Sequence, residues 1–217
     1  MYTAENITLE VAEKAVVAYN SGVYRGEKNT EVDRRGQRIF SSGLGDTLDA
    51  ILRQVRFIGD DYGGVAGFPV ALSLAPEIAS DIMSTRDAFE HAASSAPKIT
   101  DGVANRTSVE ILYGPFIKPL HGKKNWQVWA TKFWHFLNPD AFPIEDSRVD
   151  RFFKLAAKSH SADKYMELLR RFAEFRREYD VWLPKLRVAD EGQAWSDNKL
   201  WDKVCYGVEE LLSDTAT

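Results

Sequence analysis

Cysteine is nearly absent: Cys205 is the only one in 217 residues. An intrachain disulfide and a cysteine-built metal site are thereby excluded, and a reducing compartment, the cytoplasm, is the expected location. No run of about 18 apolar residues exists, so no membrane partner is expected. The opening stretch, MYTAENITLEVAEKAVVAY, has no basic segment ahead of its apolar pattern and carries acids within it, unlike a secretory signal. His91, His121, His135 and His160 lack ligand spacing of the HExxH kind, and no metal or other cofactor is expected. Gly63, Gly64 and Gly67 lack the spacing of a phosphate-cradling loop and imply a turn or a closely approached backbone.

Excess charge of one sign is also missing, since the net charge is −4. That argues against a protein that simply coats nucleic acid. The charge is uneven, however. Residues 114–178 hold 13 Lys and Arg against 8 Asp and Glu, a net +5 that leaves −9 for the remainder. A basic face on an acidic body gives this asymmetry, as does a pair of solvated amphipathic helices within 148–178.

What is present in quantity is helical periodicity. Leu9, Ala12, Val16, Val17 and Tyr19 form an apolar pattern that stops at Ser21-Gly22. Residues 23–45 are polar and glycine-bearing and are expected to be a long loop. Asp46 or Thr47 is placed to cap a helix carrying Leu48, Ile51, Leu52, Val55 and Ile58. Pro76 suits a first helical position, and one helix is expected from there to Pro97. Asn105 is placed to cap a short helix through Leu112, and a helix is expected over 125–137. Ser147 and Ser161 are placed to cap two more, the second ended by Pro184, and a last helix is expected over about 198–212. No sustained period-2 alternation appears. The expected fold is all-α, a single domain over 1–217 with two packed helical lobes at 1–104 and 105–217.

The informative stretch is GPFIKPLHGKKNWQVWATKFWHFLNPDAFPIEDSRVDRFF, from Gly114 to Phe153. A basic, glycine-bearing loop leads into a helix, Trp126–Leu137, that is apolar nearly all round and therefore deeply packed. A turn follows at Asn138-Pro139-Asp140. Phe142-Pro143-Ile144 is then held out of helical geometry by Pro143. Asp146 stands at the mouth of the next helix, where a carboxylate is favoured as a cap. Its apolar approach and the nearby Lys124 and Lys132 also make it a plausible site acid or base.

This arrangement resembles the core of the helix-hairpin-helix DNA glycosylase superfamily over about 40 residues. The matching positions are Gly122-Lys123-Lys124, the helix Trp126–Leu137, Phe142-Pro143-Ile144, Asp146-Ser147-Arg148-Val149 and Arg151. The family's paired-glycine hairpin is missing, and Glu145 stands where the family has an apolar residue. No cluster of four cysteines follows, which excludes an iron–sulfur cluster.

The resemblance implies an enzyme that breaks the N-glycosidic bond of a flipped, modified base in double-stranded DNA and leaves an abasic site. It implies Asp146 as the catalytic carboxylate, with Glu145 as rival, because a carboxylate stabilises the cationic sugar that forms. Lys124 matches the family lysine. Lys132, desolvated within its helix, is the second candidate for an amine that attacks the sugar and adds a weak lyase activity. Core packing is the first expectation for most rings of this helix, and Trp129, Trp134 and His135 are the candidates to hold the base. Lys118, Lys123, Ser147, Arg148 and Arg151 are expected to contact phosphates, with backbone donors at Ser147 adding to them. Trp195, in a polar loop, either stacks on a base or folds back. The pairs Arg170-Arg171 and Arg176-Arg177 are expected on a solvated face, as are Arg34, Arg35 and Arg38, whose loop has the alternative of reaching DNA as a lid. Some relatives of this broad kind act in bacterial defence against phage and remove hypermodified cytosines such as glucosylated hydroxymethylcytosine, which gives a second substrate class beside repair. A monomer is expected. The alternatives are a non-catalytic helical nucleic-acid-binding module and a protein-interaction protein whose Asp146 only caps a helix.

Overall fold

The computed structural model describes residues 2–24, 26–62, 73–120, 126–155, 162–193 and 195–214. The expectations for Gly63, Gly64, Gly67, His121, Lys123, Lys124, His160 and Ser161, and for the side chains of Lys118 and Trp126, fall outside what is described.

The fold is all-α. The first helix, α1 (Leu9–Ser21), starts where the Thr8 side chain accepts from the Val11 N–H and ends at Gly22. A two-stranded hairpin, β1 (Val23–Tyr24) and β2 (Glu27–Lys28), pairs Val23 with Lys28. Next come α2 (Asn29–Ile39) and α3 (Leu48–Arg56), the latter continued by a π-helical turn, Phe57–Asp61. Then follow α4 (Ala75–Ser84), α5 (Arg86–Ser94), α6 (Arg106–Leu120) and α7 (Trp126–Leu137). After these come α8 (Ser147–Phe152), α9 (Ala162–Tyr179), α10 (Leu183–Ala189) and α11 (Asp197–Asp214).

The chain ends pack on each other. Ala12 and Ala15 give α1 a small-residue face against α11, and a Cβ on Gly207 would lie 1.9 Å from the Ala15 carbonyl oxygen. Only glycine permits that approach. This contact joins the halves 1–104 and 105–217. One connected apolar core runs from Ile7 to Val208.

Several expected elements need correction. Residues 23–45 hold the hairpin and α2 rather than a loop. The face α2 buries is largely polar (Asn29, Thr30, Asp33), which leaves hydrophobic periodicity little to detect. The helix expected after Pro76 is broken at Thr85, whose hydroxyl donates to the Asp81 carbonyl. Asn105 does cap α6 through the Ser108 N–H, but α6 continues past Pro115. Pro184 opens α10 instead of ending α9, as its missing N–H allows in a first turn. The cap of α8 is Asp146, not Ser147.

Helix α7 is buried over most of its length. Residues from Gln127 to His135 are buried. Neighbours α3 and α6 supply part of its sheath: Trp129 Nε1 donates to the Val55 carbonyl at 3.1 Å, and Trp134 lies 4.4 Å from the Tyr113 ring.

Candidate active site

The segment after α7 has neither helix nor sheet to satisfy its backbone, so side chains do so. The His135 Nδ1–H donates to the Phe142 carbonyl at 2.8 Å. The Tyr165 hydroxyl donates to the Pro143 carbonyl at 2.8 Å. Thr131 Oγ1 accepts from the Glu145 N–H at 3.1 Å and donates to the Glu145 carbonyl at 3.4 Å. Three carbonyls near Asp146 are thus anchored to α7 and α9, and the Thr131 anchor is one residue from Lys132.

Asp146 itself is extended (φ −144°, ψ 177°) and turns the chain into α8. Its Oδ1 accepts from the Arg148 and Val149 N–H groups at 2.8 and 3.0 Å. Oδ2 takes no hydrogen bond among the described residues. The carboxylate lines a cavity of about 320 Å³ between α7 and α8 on one side and α1, α2 and α11 on the other. Lys132 lines the same cavity, as do Tyr19, Tyr62, Asp202 and Tyr206.

Burial shapes the chemistry of these groups. It pulls the Lys132 amine down to about 8, against the Asp146 and Asp202 carboxylates, which hold it up. Burial, then the Asp202 charge, pushes the Asp146 carboxyl above its ordinary value, opposed by Lys132. Lys132 Nζ lies 5.0 Å from the centre of the Tyr62 ring. The cavity therefore brings together an amine that loses its proton at about pH 8 and a carboxylate that lines the same space. Such a pair can bind an anion, polarise a bond, or attack an electrophilic carbon.

Glu145 goes the other way. Its carboxylate is 2% exposed and pairs with Lys164 at 3.0 Å, while Lys164 also holds Asp150 at 2.5 Å. Burial, offset by Lys164, raises the Glu145 carboxyl to about 7. The backbone is extended through this point, so consecutive side chains take opposite sides. Glu145 does not line the cavity.

The other expected site residues divide. Ser147 and Arg148 line the cavity. The Arg148 guanidinium stacks 3.6 Å over Tyr206 and pairs with Glu209, which also binds Arg151. Of the α8 N–H groups, those of Arg148 and Val149 bind the Asp146 carboxylate. Trp129 and Trp134 do not line the cavity; both are wholly buried core residues, because the helix that carries them is buried over most of its length. His135 lies on a second cavity of about 260 Å³, with Asp33, Phe136, Trp195 and Lys199. Trp195 has folded back and sits 4.7 Å over the Lys203 ammonium. Arg176 is not solvated: it is 5% exposed and bridges Asp180, Asp197 and Asn198. Arg34 and Arg35 pair with Glu31 and Glu27.

Residues that sequence reasoning missed are Tyr19, Tyr62, Asp202 and the Lys199 behind it. Lys199, Asp202 and Tyr206 recur at i, i+3 and i+7 on α11, polar side chains inserted into the otherwise apolar pattern of Leu200, Trp201, Val204 and Val208. That insertion was the available signal. No three His, Cys, Asp or Glu side chains among the described residues gather as a metal set. Compared with protein-family models, curated proteins and solved structures, the chain matches none.

Proposed function

We propose that this protein is a DNA glycosylase of the helix-hairpin-helix kind, a cytoplasmic monomer that acts on a modified base in double-stranded DNA. The observation that carries this reading is the meeting of Lys132 and Asp146 in one cavity, from two elements 14 residues apart in sequence. The cavity volume falls within the range of small-molecule sites, about 300–1,000 Å³. Tyr19, Tyr62 and Tyr206 offer rings to an extruded nucleotide in place of the tryptophans.

The chemistry follows from the charges. The bond between the sugar C1′ and the base nitrogen breaks, and its electron pair leaves with the base. Asp146 faces the positive charge that develops on the sugar. Water then bonds to C1′ and gives its proton to the carboxylate, leaving an abasic site. Lys132, in its neutral form, is the alternative nucleophile; its nitrogen bonds to C1′ as the base leaves, the C1′–O4′ bond then opens with O4′ taking the amine's proton, and the resulting Schiff base opens a route to strand cleavage. The substrate class includes hypermodified cytosines, and repair or phage defence is the corresponding role.

A second reading has its own observation. Asp146 does cap α8, and Arg148 and Arg151 are both answered by Glu209, as in a non-catalytic binding or interaction module. The separating experiment is base release by purified protein from duplexes carrying unmodified, oxidised, alkylated or glucosylated hydroxymethylated bases, with borohydride added to trap an amine adduct. Release from one class, with an adduct lost in Lys132→Ala, supports the enzyme. No release from any class sinks it, and salt-dependent duplex binding in that case supports the module.

A further inference from the structure

Asp202 lines the same cavity as Lys132 and Asp146 but comes from α11, at the far end of the chain. Its Oδ2 accepts from Lys199 Nζ at 2.7 Å. Lys199 is held in turn by Asp33 at 3.1 Å, by the Tyr62 hydroxyl at 2.8 Å and by the Tyr19 hydroxyl at 3.1 Å. Tyr19 also donates to Asp33 at 2.9 Å. Lys199, Asp33 and Asp202 are all buried, so this is a rigid bar of charge across the cleft. The bar is unbalanced: two carboxylates share one ammonium. Of the two carboxylates, Asp202 is the one that lines the cavity shared with Lys132 and Asp146.

We propose that Asp202 is a positioning residue of this site, a fixed anion on the α11 wall that governs how Lys132 and Asp146 hold their protons.

The surroundings of Asp202 support this. Burial alone would raise its carboxyl, but Lys199, with His135 and Lys132 from α7, holds it below its ordinary value. It is therefore ionised wherever the other two titrate. Among the groups facing Lys132 are Asp146, Asp202, Lys199 and Arg148. Among those facing Asp146 are Asp202, Lys132 and Arg148. Asp202 acts on both members of the pair in one direction. Its charge favours a protonated Lys132 and a protonated Asp146. Removing that charge moves both to lower pH, a pattern that a loosened fold does not give. The inference rests on the proposed function only for its catalytic meaning; the charge coupling is a property of the protein without substrate.

The test is an NMR titration of the full chain with ¹³C-labelled lysine, the Lys132 signal being identified by its loss in Lys132→Arg. In Asp202→Asn the Lys132 midpoint is expected to fall by about one unit from its wild-type value. That variant leaves Lys199 matched one-to-one with Asp33, so the bar keeps a counter-ion. Asp33→Asn, which removes the carboxylate on the other side of Lys199, is expected to move Lys132 less. An unchanged Lys132 midpoint in folded Asp202→Asn, or equal shifts in the two variants, overturns the proposal. Should Asp202→Asn fail to fold, carboxyl NMR of the wild type decides: an Asp202 still protonated at about pH 6 overturns it, and one ionised well below its ordinary value supports it. If base release has been found, its whole pH profile moves toward acid in Asp202→Asn. A shifted Lys132 with no release on any duplex rejects the glycosylase and keeps the coupling.

Discussion

Glu145 and Asp146 are neighbours in sequence, yet they belong to two different regions of the molecule. Behind the segment, Glu145 and Asp150 both pair with Lys164, away from the cavity. In front of it, Asp146, Lys132 and Asp202 line open space. The residue types are the same on both sides. What separates the two groups is whether they line a cavity that a ligand can enter. A buried pair adds modestly to stability but is costly to break, whereas titratable groups gathered at a cavity are placed for chemistry.

The closed side should give the largest change in stability. Lys164→Met leaves Glu145 without its cation and is expected to cost about 3–5 kcal/mol at about pH 8. The Glu145 carboxyl is raised to about 7, so it is protonated at about pH 5, and the cost should shrink there. Urea melts at both pH values measure this, and equal costs would mean that Glu145 is not the group left exposed to burial.

The open side should respond with the opposite sign. The Lys132 amine is at about 8 in the folded protein and ordinarily near 10.5. Between those values the unfolded chain binds more protons, so wild-type stability rises with pH across that window. The burial penalty is complete below about pH 8 and gone above about 10.5. Lys132→Met should therefore stabilise the protein by up to about 3 kcal/mol at about pH 7, with the gain fading at high pH. A destabilised Lys132→Met would show that Lys132 is held as a structural cation like Lys203, which is wholly buried and pairs with Asp190 at 2.5 Å.

The smallest effect belongs to a residue outside both clusters. Trp129→Phe removes the bond to the Val55 carbonyl and should cost about 1 kcal/mol or slightly more. It should leave turnover unchanged, since Trp129 does not touch the cavity. Reduced turnover at unchanged stability would restore Trp129 to the site.

These residues also mark how far the sequence could be followed. The helix 126–137 and the Asp at the next helix mouth were legible because a sustained apolar pattern, a proline and a capping residue are local signals. The all-α class was legible for the same reason. The inward orientation of Lys132 and the outward division of Glu145 from Asp146 were not, because both depend on which neighbours arrive from α1, α9 and α11. Helix α2 was missed because it buries Asn29, Thr30 and Asp33, a polar face that has a partner only in the assembled cleft. Asp202 was missed for a related reason: its meaning comes from Lys199 and from a cavity built by elements more than 50 residues away. The core placement of Trp129 and Trp134 could not be told from a binding wall, because aromatic abundance on a helix fits both.

Base release by Asp146→Asn and Glu145→Gln, compared side by side on the best duplex substrate, tests the central claim most directly. Asparagine caps a helix about as well as aspartate, so Asp146→Asn keeps the α8 cap and loses only the charge. The account predicts at least about a 10²-fold loss of release in Asp146→Asn, with an unchanged melt, and near wild-type release in Glu145→Gln. Retained release in Asp146→Asn, or an equal loss in both variants, would contradict it.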